Sequence, residues 1–394
     1  MAADDTFRRI GTLVGVGLRL ARSVPSGRVL LARVADAIDL DWIPRPSGDE
    51  LVSALEEARA APLEPIPTRQ VERSLRTAWD AIELEDFEAQ PVAVTPLSQV
   101  HRGVVDGSAV AIKVQRPGLA ATIRQDVVVV DGLLAPLAAA FPSLNARTVL
   151  AEFRERVLDE LDLEHEAAVQ RRFHRLLHRH PLFYVPAPLT RLARPGVLVS
   201  EWVSGVPLCD ASERDRVAAL LVRFVFGAMR WGTVHADLGP QDVLVLEDGR
   251  LAVLDFGATR KTVPVRVAAA SDAHDAFVLA DCERFGAALE RLGWLPRGDA
   301  QMAFELGRYA LGELAGPGPA RLDSEAVIRA RSRLLSRPEQ LRRVIAGGRL
   351  SPVDLWPARS VAQLFATIAR AGATGSWAEL ARDALRDGFS DERR

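Results

Sequence analysis

Apolar positions at the start of the chain recur with helical spacing, most clearly over residues 68–84, where Val71, Leu75 and Trp79 share one face. Proline-rich breaks at Pro44–Asp49 and Pro62–Pro67 separate such helices. Near Pro91 the period changes. Val100–Val105 and Ala109–Val114 read as extended runs joined by Asp106-Gly107, a strong hairpin signal. Leu119–Phe141 reads as a helix, and a second long helix, rich in Glu and Arg, is expected from about Arg147 to His178. Val197–Val203 reads as a strand that Ser204-Gly205 ends. A helix is expected from about Glu213 to Trp231, then two short strands, Val243–Leu246 and Leu251–Leu254, around Asp248-Gly249. From about Val265 onward the pattern is helical, with a polar, fraying tail at Gly388–Arg394.

This order predicts an α+β fold and not an alternating βαβ sheet. A helical extension (1–90) precedes a β-rich lobe with inserted helices (91–203), and a mostly helical lobe (204–394) follows. With 394 residues and 48% apolar side chains the chain can bury a substantial core. A net charge of −2 gives no reason to expect nucleic-acid binding. Two cysteines, Cys209 and Cys282, lie outside any metal or redox spacing, which points to a reducing, cytoplasmic setting. The apolar segment Ile10–Ala21 contains Arg19 and is too short to span a bilayer. Its basic, amphipathic character admits a peripheral membrane contact, although packing against the body of the protein is the preferred reading.

Only two lysines occur, Lys113 and Lys261, and only one asparagine, Asn145. A lysine that survives this bias stands out. Lys113 ends the strand Val110-Ala111-Ile112-Lys113, whose alternation lets the ammonium face a cleft while its neighbours pack. Such a lysine needs a helical carboxylate partner, and 160–166 (ELDLEHE) supplies several. Glu160 and Glu164, like Asp162 and Glu166, are expected as i,i+4 neighbours on one helix. His235-Ala236-Asp237 precedes the second hairpin. Asp237 is placed to orient an attacking hydroxyl or water, with His235 propping the loop. Asp242 follows five residues later, and Asp255-Phe256-Gly257 ends the hairpin. Lysine for phosphates, carboxylates for magnesium and an orienting acid are the parts that phosphoryl transfer requires. The connector Ser200–Val203 would offer main-chain groups, at Glu201 and Val203, to an adenine.

These residues resemble the UbiB (AarF) family of atypical, protein-kinase-like kinases. The likeness is carried by Gln99-Val100-His101-Arg102, by Lys113-Val114-Gln115-Arg116-Pro117-Gly118, by Glu160-Leu161-Asp162 with Glu166-Ala167, and by His235-Ala236-Asp237 through Asp255-Phe256-Gly257. It implies a bilobal kinase-like fold that binds ATP and Mg2+. Lys113 would be the nucleotide lysine and Glu166 its helix partner, with Glu160 and Asp162 the family's acidic pair. Asp237 would be the catalytic-loop acid, and Asp242 and Asp255 the metal ligands. Such proteins are tied to isoprenoid-lipid biology and ATPase activity, so an isoprenoid lipid or a small molecule is the implied substrate. The chain departs from the family in three places. The N-terminal Lys-x-Gly-Gln motif is missing from residues 1–90. The alanine-rich phosphate loop is replaced by Ala93-Val94-Thr95-Pro96-Leu97-Ser98, where Pro96 lacks an N–H. Asp242 stands where kinases carry Asn. Two readings follow: an ATP-dependent enzyme, or a pseudokinase acting as a nucleotide-responsive binding module.

Overall fold

The computed structural model describes residues 26, 29, 31, 49–60, 63–79, 84–126, 154, 155, 158–349 and 351–389. The segment Ile10–Ala21, the later part of the helix expected up to Phe141, and the terminal residues 390–394 lie outside them. The chain divides into two compact units, one formed by Met1–Arg172 with Pro186–Val203 and the other by Phe173–Val185 with Ser204–Arg394.

In chain order the first stretch contains α1 (Asp49–Ala60), α2 (Thr68–Ala78), β1 (Asp86–Phe87), β2 (Ala93–Val94), β3 (Ser98–Val105), β4 (Ser108–Gln115), α3 (Leu119–Asp126), α4 (Leu163–Leu176), β5 (Phe183–Tyr184) and β6 (Val197–Glu201). The sheet of the first unit runs β1-β3-β4-β6, with β2 also on β3, and every pairing is antiparallel. It starts at Asp86, before Pro91. The β3–β4 turn puts Asp106 and Gly107 at φ 51° and 70°, the left-handed pair that a tight two-residue hairpin needs.

Period-2 alternation gives the sheet two working faces. Val110, Ile112 and Val114 of β4 join Val197 and Val199 of β6 in a core closed by Val71 and Leu75 of α2. Trp79 belongs to the same core although it is extended rather than helical. Its indole N–H donates to the Leu192 carbonyl at 3.0 Å, which satisfies the one polar atom of a buried ring. The opposite face carries Leu198, packed with Leu163 and Ala167 of α4 and with Ala193.

The expectation of one helix from Arg147 to His178 is corrected. A turn covers Glu160–Leu161 and a new helix starts at Leu163. The cause is Asp162, whose Oδ1 accepts the backbone N–H groups of Glu164 and His165 at 3.1 Å each. That is an N-cap, which satisfies donors a continuous helix would have satisfied internally. Glu160 and Asp162 are therefore not i,i+4 partners of Glu164 and Glu166 on one helical face.

The second unit continues with β7 (Val206–Pro207), α5 (Arg214–Trp231), β8 (Thr233–His235), β9 (Val243–Val245), β10 (Leu251–Val253) and β11 (Thr259–Lys261). Helix α5 buries eleven residues, among them Leu221, Phe224 and Met229. Gly232, at φ 104°, ends it by donating back to the Ala228 and Met229 carbonyls. The chain then enters β8 directly. Strands β5-β10-β9-β7 form one sheet, while β8 and β11 form an antiparallel ribbon. The helices α6 (Pro264–Val278), α7 (Cys282–Leu292), α8 (Arg297–Leu311), α9 (Ser324–Leu335), α10 (Pro338–Gly347), α11 (Pro352–Ala371) and α12 (Trp377–Asp387) complete the unit. Two short strands interrupt them, β12 (Ala320–Leu322) and β13 (Ala373–Gly375), which pair antiparallel. Among the described residues no helix is long and apolar enough to cross a membrane.

Candidate functional site

Lys113 lies on β4 directly opposite Val100 and Leu198. Neighbours paired across an antiparallel ladder share a face, so its side chain leaves on the α4 side of the sheet. Its Nζ donates to both oxygens of Glu166 at 2.8 Å. Glu166 is 2% exposed and Lys113 18%. A carboxylate so buried is stable only with such a charged donor.

The run from Lys113 to Gly118 fixes this pair from several sides. Val114 belongs to the α2-side core. Gln115 donates to the Leu161 carbonyl at 2.9 Å, and Leu163 N–H donates to the Pro195 carbonyl at 3.0 Å, so the cap that starts α4 is tied to the sheet. Arg116 reaches the other way, donating to the Thr95 and Glu64 carbonyls at 3.2 and 2.9 Å. Gln99 brackets Ile66, accepting from its N–H at 2.7 Å and donating to its carbonyl at 3.3 Å. The Gln99 amide also donates to His101 Nε2 at 2.7 Å, while His101 Nδ1–H donates to the Glu88 carbonyl at 2.8 Å. Burial holds the His101 pKa below its ordinary value, against the opposing pull of the Glu88 carbonyl.

The loop at 93–98 is closed on itself. Thr95 Oγ1 accepts the N–H groups of Leu97 and Ser98 at 3.3 and 3.0 Å, and Thr95 N–H donates to the Ser98 carbonyl at 2.8 Å. Pro96 has no donor, so the amides at 96–98 are absent or engaged. At the end of β6, Glu201 N–H donates to the Ala187 carbonyl at 2.9 Å, and Trp202 N–H to that of Ala109 at 3.1 Å. The Glu201 side chain accepts from Ala187 N–H at 3.3 Å. Val203 ends the first unit.

In the second unit His235, Asp237, Asp242 and Asp255 are assembled by two short strand pairs. Thr259 pairs with His235 across β8–β11, and Val243 with Val253 across β9–β10. The Leu254 N–H donates to the Asp242 carbonyl at 2.9 Å, which brings 242 and 255 to the same open end of the hairpin. The His235 ring donates through Nε2 to the Asp255 carbonyl and packs edge-on against Phe256. It is a prop that ties the His-x-Asp loop to Asp-Phe-Gly. Asp255 Oδ1 accepts from Gly257 N–H at 2.9 Å, and Asp242 Oδ2 from Gly239 N–H at 2.8 Å.

Among the described residues no cluster of three or more His, Cys, Asp or Glu is arranged to enclose a metal ion. Two carboxylates, each oriented by a backbone N–H through one oxygen, still fit magnesium. That ion is commonly held by one or two protein carboxylates, with phosphates and water completing its shell.

Sequence reasoning missed the partners of Asp237. Its Oδ1 accepts from Arg359 Nη2 at 2.9 Å and from Gln363 Nε2 at 2.8 Å, both on α11. No motif marks these residues. Their one local signal is an i,i+4 spacing that places them on one helical face.

The ABC1 atypical kinase-like domain model matches residues 57–285. An uncharacterized protein of Synechocystis is 32% identical over 228 residues, 55% of this chain and 33% of that protein. The Marinobacter nauticus protein named probable protein kinase UbiB is 28% identical over 237 residues, 55% of this chain and 43% of its own. The chain thus spans less than half the length of these curated relatives. A solved structure of Rv3197 from Mycobacterium tuberculosis in complex with erythromycin has 24% identity and a TM-score of 0.65, covering 99% of this chain and 97% of that one. The fold is accordingly α+β and kinase-like, and the chain belongs to the ABC1 (UbiB-type) atypical kinase-like family.

Proposed function

We propose that this chain is an ATP-binding protein that hydrolyses ATP, or transfers its terminal phosphoryl group to a small molecule or lipid, in a magnesium-dependent reaction. The observation that carries this reading is the Lys113–Glu166 pair, a cation held on both carboxylate oxygens at 2.8 Å and still partly exposed. Protein kinases use such a pair to present an ammonium to the nucleotide phosphates. Asp242 and Asp255 would hold the magnesium, which supplies charge neutralisation at the phosphates. Asp237 orients the acceptor hydroxyl or water. Glu201 and Val203 would offer main-chain groups to adenine, and Glu160 and Asp162 would serve as the family's acidic pair, Asp162 also capping the helix that carries Glu166. The link to isoprenoid-lipid metabolism, the cytoplasmic setting and a peripheral membrane contact through residues 10–21 rest on the family resemblance and the sequence.

A second reading is a pseudokinase that binds nucleotide and signals to a partner. It is favoured by the closed loop at Thr95, where the hydroxyl occupies two amides that a phosphate would use. Phosphate release from MgATP separates the two. Release that Asp255→Asn lowers at least about 100-fold supports the enzyme. Nucleotide binding by thermal shift without release supports the module, and failure to bind any nucleotide rejects both.

A further inference from the structure

One face of α11 holds three consecutive residues of the His-x-Asp loop. Ser360 Oγ donates to the His235 carbonyl at 2.7 Å, Arg359 Nε to the Ala236 carbonyl at 3.0 Å, and Arg359 Nη2 with Gln363 Nε2 to Asp237 Oδ1. Arg359 is 11% exposed and Asp237 15%. The helix is itself anchored at its first turn. There Asp354 accepts from Arg266 Nε and from Trp294 Nε1, both at 2.7 Å, and Arg266 also donates to the Leu292 carbonyl. The guanidinium at Asp237 is therefore placed by a rigid element and not by a mobile side chain on a loop.

A carboxylate at the position that orients an acceptor faces a charge problem. The terminal phosphate of a nucleoside triphosphate is anionic, and an uncompensated carboxylate beside it repels it strongly where water is scarce. Two fixed donors on one oxygen set the direction of the Asp237 carboxylate, and one of them carries a full positive charge.

We propose that Arg359 is a charge-compensating positioning residue, which lets the terminal phosphate of a triphosphate approach Asp237. This rests on the nucleotide-binding reading above. It assigns α11 a part in selecting triphosphate over diphosphate, because a diphosphate lacks the group that meets Asp237.

The test is calorimetric binding of MgADP and of the magnesium complex of a nonhydrolysable β,γ-imido ATP analogue. It uses the full chain and its variants, each checked for an unchanged melting temperature. Arg359→Gln keeps a hydrogen-bonding side chain without the charge. It should weaken the triphosphate about tenfold relative to the diphosphate. Arg359→Lys keeps the charge but not the fork that reaches both Ala236 and Asp237, so its loss should be smaller than that of Arg359→Gln, about threefold. Adding Asp237→Asn to Arg359→Gln should restore the ratio to within about twofold, since the charge needing compensation is gone. A structural tether alone would not be rescued this way. An unchanged ratio in Arg359→Gln, an equal loss for both nucleotides, or no rescue by Asp237→Asn overturns the proposal while leaving the nucleotide site standing. If the wild-type chain binds neither nucleotide, the underlying reading falls and the proposal falls with it.

Discussion

Each unit contains a carboxylate–cation pair, and the two are built in opposite senses. In the first, the cation Lys113 is on a strand and the buried partner is Glu166, whose two oxygens both accept from one ammonium at 2.8 Å. In the second, the carboxylate Asp237 is on the loop, and the cation Arg359 comes from a helix more than a hundred residues later. There one oxygen takes two donors. The first arrangement fixes a positive charge, because a single ammonium gripped bidentately has little freedom. The second fixes a negative charge and partly cancels it. On the proposed reading the first would present a cation to phosphates, and the second would orient an acceptor without repelling them.

Lys113→Met breaks the first pair most severely. It leaves Glu166 buried without its cation, which should lower stability by about 3 kcal/mol, the lower end expected for breaking a buried pair because Lys113 is partly exposed. Glu166→Leu added to it should recover much of that loss, and urea unfolding of both variants measures it. In the second unit, Asp354→Ala removes the acceptor for Arg266 and Trp294, leaving a half-buried guanidinium without its carboxylate and with the Leu292 carbonyl still accepting from it. A loss of about 2–3 kcal/mol is expected, with Asp237 losing its fixed donors as α11 loosens. The Asp354 pairing raises the Arg266 pKa, and without it the guanidinium still keeps its charge because it does not deprotonate in proteins.

Asp162→Ala is a smaller perturbation of the first region. Losing an N-cap costs about 1 kcal/mol, and its diagnostic is a fraying of α4 near Glu166 seen by hydrogen exchange. The smallest effect is a pH dependence. His101 is neutral in the fold, with Nδ1–H donating and Nε2 accepting, and its pKa is lowered from 6.5. The stability it contributes is complete above the ordinary value of 6.5 and is lost as pH falls through the lower folded value. Protonation would set two donors against each other at Gln99. Urea midpoints should therefore fall below about pH 6, and a His101→Gln variant should flatten that fall.

The residues of local motifs were legible in the sequence because their geometry is local. Val110–Lys113 alternates on one strand, and His235–Asp237 and Asp255–Gly257 flank one short hairpin. The helix carrying Glu166 was legible, but its start was not. In the sequence Asp162 is one more acid in a helical run, whereas in the fold its carboxylate competes for backbone donors and restarts the helix. The strands β12 and β13 carry no signal within the helical pattern, because short strands paired across a long stretch of sequence have no period of their own. Arg359 and Gln363 were invisible for the same reason, since only tertiary packing makes them neighbours of Asp237. The loop at 93–98 was half legible. Pro96 announces a missing donor, but the capture of two further amides by the Thr95 hydroxyl arises only from the folded shape of the loop.

We propose that Lys113 and Asp255 are each required for binding a magnesium nucleotide. Calorimetric titration with MgATP analogue tests it most directly, on wild type, Lys113→Ala and Asp255→Asn. Both variants should bind at least about tenfold more weakly than wild type, with the Asp255→Asn loss disappearing when magnesium is withheld from all three. Wild-type affinity in either variant, measured on protein that is still folded, would contradict it.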